Sequence, residues 1–266
     1  MHTWQTHIPA LVRILGTDAF PASLDQALRD LVPFDLSCAF AYTLETRPQL
    51  IHDGLRNVSS AAVMSNYLNG TYLLDAVYDA CRRATPAGLY RLKDLAPDDF
   101  FEGDYYNSPE FHPCISMETG SLSEEIVFLT RSDGVYFAYS LLRQRQHAAF
   151  SEPEFAALRS VADTVIAFME QQWKSLAASQ NSARTLPNDN DMRLSRAMET
   201  FGQDRLTARE QAIAGMILQG HSSLSIAANL NLSEGTVKNH RKHIYAKLGI
   251  YSQSGLFKLF IDHIFG

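Results

Sequence analysis

Lys238, Asn239 and Lys242 lie within NLSEGTVKNHRKHIYAKLGI, residues Asn231 to Ile250. This stretch holds four of the chain's 23 lysines and arginines, although the formal net charge is −6. With Val237 as the inward reference, Ile244 and Leu248 return to the same face of a helix seven and eleven residues on. Lys238, Asn239 and Lys242 then project to the other side, where long polar side chains can enter a DNA major groove. Thr236, Lys247 and the helix amino terminus are placed for phosphate oxygens. Charge alone more often marks a solvated helix face, so the elements that hold these residues matter.

Ser233 is a good N-cap for that helix, which runs to about Leu248 before Gly249. A short helix, about Ser223 to Asn229, precedes it across the turn N-L-S. Further back, Thr207 and Glu210 in LTARE form a capping-box signature that starts a helix at about Ala208, and Gly220 stops it. Two short helices joined by a tight turn, the second one basic, describe a helix-turn-helix. From Asp204 onward seven lysines and arginines face four acids, while the preceding chain carries 16 bases and 25 acids. A polyanion-binding end on an acidic body is the expectation.

LTAREQAI, G-H-S-S-L-S-I-A, N-L-S-E-G-T-V-K-N-H and I-Y-A-K-L-G-I, in that order over roughly 60 residues, resemble the LuxR-type helix-turn-helix. The resemblance implies an all-α four-helix domain that binds double-stranded DNA. It puts Lys238, Asn239 and Lys242 at base-reading positions and Ser233, Thr236 and Lys247 at phosphate-holding ones. The last helix, Ser252 to Ile264, pairs two subunits in the family, which implies a homodimer, and RNA polymerase is a further implied partner. Packing of that helix on its own domain is the equal alternative. Two departures stand out: Leu224 and Ser225 replace a Lys-Glu pair, and Gln253 replaces an Arg.

At 266 residues, 46% hydrophobic and 11% aromatic, the chain suits two globular domains. SLAASQNSARTLPNDNDMRLSR turns polar, so the expected division is a ligand-sensing domain at 1–174, a linker at 175–205 and the DNA-binding domain at 206–266. In the first part, Leu36–Leu44, Gly88–Leu92, Glu124–Thr130 and Gly134–Leu142 look like strands, the last two joined as a hairpin through Ser132–Gly134. Helical patterns fall at Ile8–Leu15, Leu24–Leu31, Ala61–Leu68 and Leu73–Arg83. A longer helix follows from Ser151, with Glu154 completing a capping box, to about Trp173.

The fold expected for this part is an α/β/α sandwich with a mainly antiparallel sheet, similar to GAF, PAS and autoinducer-binding sensor domains. A phosphoacceptor receiver fits less well, because RPQLIHD before Asp53 is no buried apolar strand and no acidic pair follows an early strand. N-Y-L-N-G-T-Y-L-L-D-A-V-Y, Asn66 to Tyr78, is similar to the Tyr and Asp pattern of autoinducer receptors. That implies an acyl-carbonyl donor at Tyr67 and an amide acceptor at Asp75. Ala76 stands where those receptors have proline, and the only tryptophans are Trp4 and Trp173, so another small effector is favoured over an acyl-homoserine lactone.

FFEGDYYNSPEF, Phe100 to Phe111, carries five aromatics in twelve residues and suits either a loop over a pocket, with Tyr105 and Tyr106 as ligand contacts, or a core plug. Tyr42, on a strand, is a further lining candidate. Asp98–Asp99 and Glu124–Glu125 are expected to be solvated pairs. Catalytic, metal and cofactor motifs are not found: the chain has no G-x-S-x-G, H-E-x-x-H or glycine-rich phosphate loop. Cys38, Cys81 and Cys114 read as reduced core thiols. No apolar run approaches the length of a membrane span, and the expected location is the cytoplasm. The rival to a ligand sensor is a first domain that binds a protein partner or only dimerises.

Overall fold

The computed structural model describes residues 2–43, 46–55, 61–102, 106, 112, 114, 122–174 and 196–265. Helices α1 (His2–Ile14) and α2 (Phe20–Leu31) lead into strands β1 (Leu36–Tyr42) and β2 (Gln49–Gly54). Helix α3 (Ala61–Asn69), a 3-10 turn at Thr71–Leu74, α4 (Ala76–Arg82), β3 (Gly88–Arg91) and the single turn α5 (Leu92–Leu95) follow. Strands β4 (Leu122–Ser132) and β5 (Val135–Gln144) then precede α6 (Glu152–Arg159) and α7 (Ala162–Gln172).

The five strands form one antiparallel sheet in the order β2-β1-β5-β4-β3. Its centre is the expected hairpin. Asp133 and Gly134, at φ 49° and 83°, supply the two positive-φ positions that a tight β4–β5 turn requires. Strand alternation sends side chains to two cores. Ala39, Ala41, Ile126, Phe128, Phe137 and Tyr139 face α1, α2, α6 and α7 on the outer side. Leu36, Cys38, Phe40, Tyr42, Val127 and Leu129 face the helices of the inner side. This is the expected three-layer sandwich.

Local chemistry moves several boundaries. The helix expected over Leu73–Arg83 starts at Ala76, because the Asp75 side chain caps it by accepting from Val77 N at 2.8 Å. The helix expected from Ser151 to Trp173 does open on the Ser151–Glu154 capping box, but it breaks into α6 and α7 at Ser160–Val161. There Ser160 Oγ donates to Ala157 O at 2.7 Å and competes with the helical ladder. The segment before Asp53, read as no buried strand, forms the partly exposed edge strand β2.

The C-terminal part is all helical: α8 (Ala208–Leu218), α9 (Ser223–Leu230), α10 (Glu234–Leu248) and α11 (Gln253–Phe265). Residues 196–200 form a further helical stretch, and Phe201 stacks edge-on to Phe260 with centroids 5.3 Å apart. The segment 196–205 thus packs on the C-terminal helices, while 175–195 of the expected linker lie outside the described residues. Among the described residues no helix is long and apolar enough to cross a membrane.

Candidate functional site

Ser233 Oγ accepts from Thr236 N at 3.1 Å and also bonds Thr236 Oγ1 at 2.8 Å, so both hydroxyls sit at the positive end of α10. Val237, Ile244 and Leu248 are buried against α8 and α9, which leaves Lys238, Asn239 and Lys242 exposed along the opposite side. Lys238 Nζ is 2.6 Å from Glu234 one turn earlier, a solvated pair of small worth. Lys247 is used differently. Its ammonium lies 2.7 and 2.8 Å from the two oxygens of buried Glu210, tying α10 to the capping box of α8.

The departures on the scaffold helix are absorbed locally. Ser225 Oγ is 3.0 Å from His221 Nδ1, Leu224 is exposed, and Gln253 Oε1 accepts from Arg241 Nη2 at 3.3 Å. Leu256 and Phe260 of α11 are fully buried in their own unit. A capped basic helix held by a scaffold helix, its reading face open, defines a helix-turn-helix DNA-binding architecture.

On the inner face of the sheet, Tyr42, Tyr67 and Asp75 come together and satisfy one another. The Tyr42 and Tyr67 hydroxyls are 2.7 Å apart, and Tyr67 donates to Asp75 Oδ2 at 2.7 Å. Burial raises the Asp75 carboxyl above its usual range against the opposing bonds from Tyr67 and Val77. The rings of Phe40, Tyr72 and Tyr78 fill the space around them. Tyr106 lies elsewhere, and Tyr105 falls outside the described residues. Tyr106 and Phe101, with centroids 4.7 Å apart and planes at 81°, wall a cavity of about 390 Å³ that α5 and the start of β4 complete.

That cavity contains what the sequence hid. Of Glu124 and Glu125, expected to be solvated, the second is buried and the first partly so, and strand alternation points them apart. Glu124 bonds the Arg91 guanidinium and accepts from Phe150 N at 2.7 Å. Glu125 lines the cavity at 6% exposure, its one hydrogen-bond partner among the described residues being Ser140. Burial first, then the Asp75 charge, push its carboxyl up to about 8. Cys38, Cys81 and Cys114 are free and buried, with Cys38 and Cys114 Sγ 4.0 Å apart in the same inner core.

Asp98 and Asp99, also expected to be solvated, meet the helix-turn-helix. Asp99 N donates to Gly220 O at 3.0 Å, Ser222 N donates to Asp98 Oδ1 at 3.0 Å, and the Ser222 hydroxyl bonds the other oxygen. Burial opposes ionisation of Asp98, but the Ser222 bonds win and hold its carboxyl below the usual range. Gly220 has φ 89°, and a Cβ there would stand 2.7 Å from Phe100 Cα. Gly220→Ala is therefore expected to open this contact, read as faster hydrogen exchange at the Asp99 amide; unchanged exchange would count against it.

The comparisons agree with this architecture. The family model "Bacterial regulatory proteins, luxR family" matches residues 204–260. The HTH-type transcriptional regulator of the exeN 3′ region of Aeromonas salmonicida is 32% identical over 192 residues, covering 71% of this chain and 94% of the relative. The transcriptional regulatory protein MctR of Rhizobium johnstonii is 42% identical over 62 residues, 23% of this chain and 29% of MctR. The LBD domain of VqsR from Pseudomonas aeruginosa superposes with a TM-score of 0.53 at 24% identity, over 64% of this chain and 95% of that domain, which is a likeness of fold. The chain belongs to the luxR family of bacterial regulatory proteins, and it is a transcriptional regulator with a helix-turn-helix at its C-terminal end.

Proposed function

We propose that this regulator reads double-stranded operator DNA through Lys238, Asn239 and Lys242 of α10, acting as a homodimer in the cytoplasm under control of a small molecule bound by its N-terminal unit. The exposed row on a helix whose other face is fully buried carries the reading assignment. Ser233 and Thr236 then hold phosphate at the α10 amino terminus. Lys247 adds a phosphate contact only on release from Glu210. The sensing unit spans 1–174 and the reading unit begins at about residue 196. The cavity on the inner side supports a ligand sensor over a unit that merely dimerises. Its effect is a population shift among dimers whose two reading helices match half-sites about one helical turn apart.

The test is operator selection from random duplexes followed by titration of Lys242→Ala. Loss of one base-reading lysine is expected to cost roughly 1 to 3 kcal/mol on the selected site and to relax preference at one position. Equal losses on operator and random DNA would remove the base-reading role and leave a phosphate contact.

A further inference from the structure

The inner cavity is asymmetric in charge. Of its two acids, Glu124 is matched by Arg91, whose guanidinium also donates to Glu152 and Phe150 O. Glu125 has no such match. It is nearly without solvent, its described hydrogen-bond partner is a neutral hydroxyl, and the charge that acts on it is the like charge of Asp75. Lys93 also borders the cavity, but its side chain is exposed at the rim. Burial without a cation keeps this carboxyl in its neutral form near pH 7, and a cation entering the cavity would give its ionised form the partner that the protein does not supply.

The remaining walls narrow the choice. Phe101 and Tyr106, packed edge to face on each other, both border the same cavity. Ring faces carry negative quadrupole charge and attract an ammonium group, more so where water is excluded. Leu92, Leu122 and Ala149 supply apolar wall for a hydrocarbon body. At about 390 Å³ the space is at the small end for ligand pockets.

We infer that the effector is a small organic ammonium compound, with Glu125 as its counter-ion and the rings of Phe101 and Tyr106 as its aromatic wall. The inference rests on the sensor reading above and names the ligand class for that site. A ligand carboxylate would leave the ionised form of Glu125 without a partner, whereas an ammonium group supplies one. The Tyr42–Tyr67–Asp75 chain, already internally bonded, lies beside this site and needs no ligand to satisfy it.

The experiment is thermal unfolding of the full-length protein with phenethylamine, hexylamine and cadaverine, each beside the alcohol of the same skeleton, and with butanoyl-homoserine lactone as the neutral acyl probe. The expected result is a dose-dependent rise in Tm with at least one amine and none with its alcohol. In Glu125→Gln the affinity for that amine falls roughly 100-fold, as loss of one partner of a buried charge pair does, while the unliganded variant melts no lower than the parent. Phe101→Leu weakens the amine and leaves the protein folded, so the assignment does not depend on one variant. Alcohols that match the amines, or an amine shift unchanged in Glu125→Gln, would overturn it. If the lactone alone stabilises, the ammonium inference fails and the sensor reading stands; if no probe shifts Tm, both fail.

Discussion

Arg91→Ala lowers the stability of the N-terminal unit by about 3 to 5 kcal/mol, the usual cost of removing one member of a buried ion pair. The size follows from what the guanidinium holds. At 6% side-chain exposure, Arg91 joins β3 to Glu124 of β4, to Phe150 O and to Glu152 of α6, and its guanidinium carbon lies 4.4 Å from the Phe155 ring centroid. Without it Glu124 is a buried carboxylate left with the Phe150 amide. Urea unfolding followed by circular dichroism measures the loss, and the pair Arg91→Met with Glu124→Leu should recover most of it. A single variant as stable as the parent would show that the pair is dispensable.

Glu210→Ala is the second large effect, about 2 kcal/mol in the C-terminal unit. One part is the capping box, in which Glu210 accepts from Thr207 N at 2.8 Å, a cap worth about 1 kcal/mol. The rest is the Lys247 pair, discounted because that lysine is 41% exposed. The Lys247 bond, aided by Thr207, holds the Glu210 carboxyl at about 2, below its ordinary 4.5. A carboxyl depressed by folding stabilises above its unfolded value. The contribution is therefore complete above about pH 4.5 and is lost as pH falls toward 2. Hydrogen exchange at Ile213–Leu218 in the intact chain should accelerate over that window and show no such step in Glu210→Gln.

The C-terminal half was legible because punctuation there is chemical. Thr207, Ser233, Gly220 and Gly249 each do the local job their residue type suggests, and the helices expected at Ala208, Ser223 and up to Leu248 lie there. The inner site was legible only in part. Tyr67 and Asp75, singled out as ligand contacts through the resemblance to autoinducer receptors, bond each other, since a 3-10 turn carries the chain from α3 to the cap of α4. Glu125 was not legible. On a strand, neighbours face opposite sides, so the dipeptide Glu124–Glu125 looks the same whether both acids reach water or one meets Arg91 and the other a cavity. Only the partner strand and the aromatic segment decide, and neither is near in sequence. Strand β2 was missed for a related reason: an edge strand needs no continuous apolar run.

Both tryptophans, Trp4 and Trp173, belong to the outer core, where Trp173 stacks on Phe137 at 5.7 Å. The sheet separates them from the cavity, and the reading unit has none. Indole emission is thus a gauge of one layer. An effector entering the inner face, or DNA docking on α10, leaves that light unchanged, and the optical record of binding is written in tyrosines such as Tyr42, Tyr67, Tyr72 and Tyr106. A shift in the tryptophan spectrum on adding effector would mean something larger than binding: the far side of the sheet has moved.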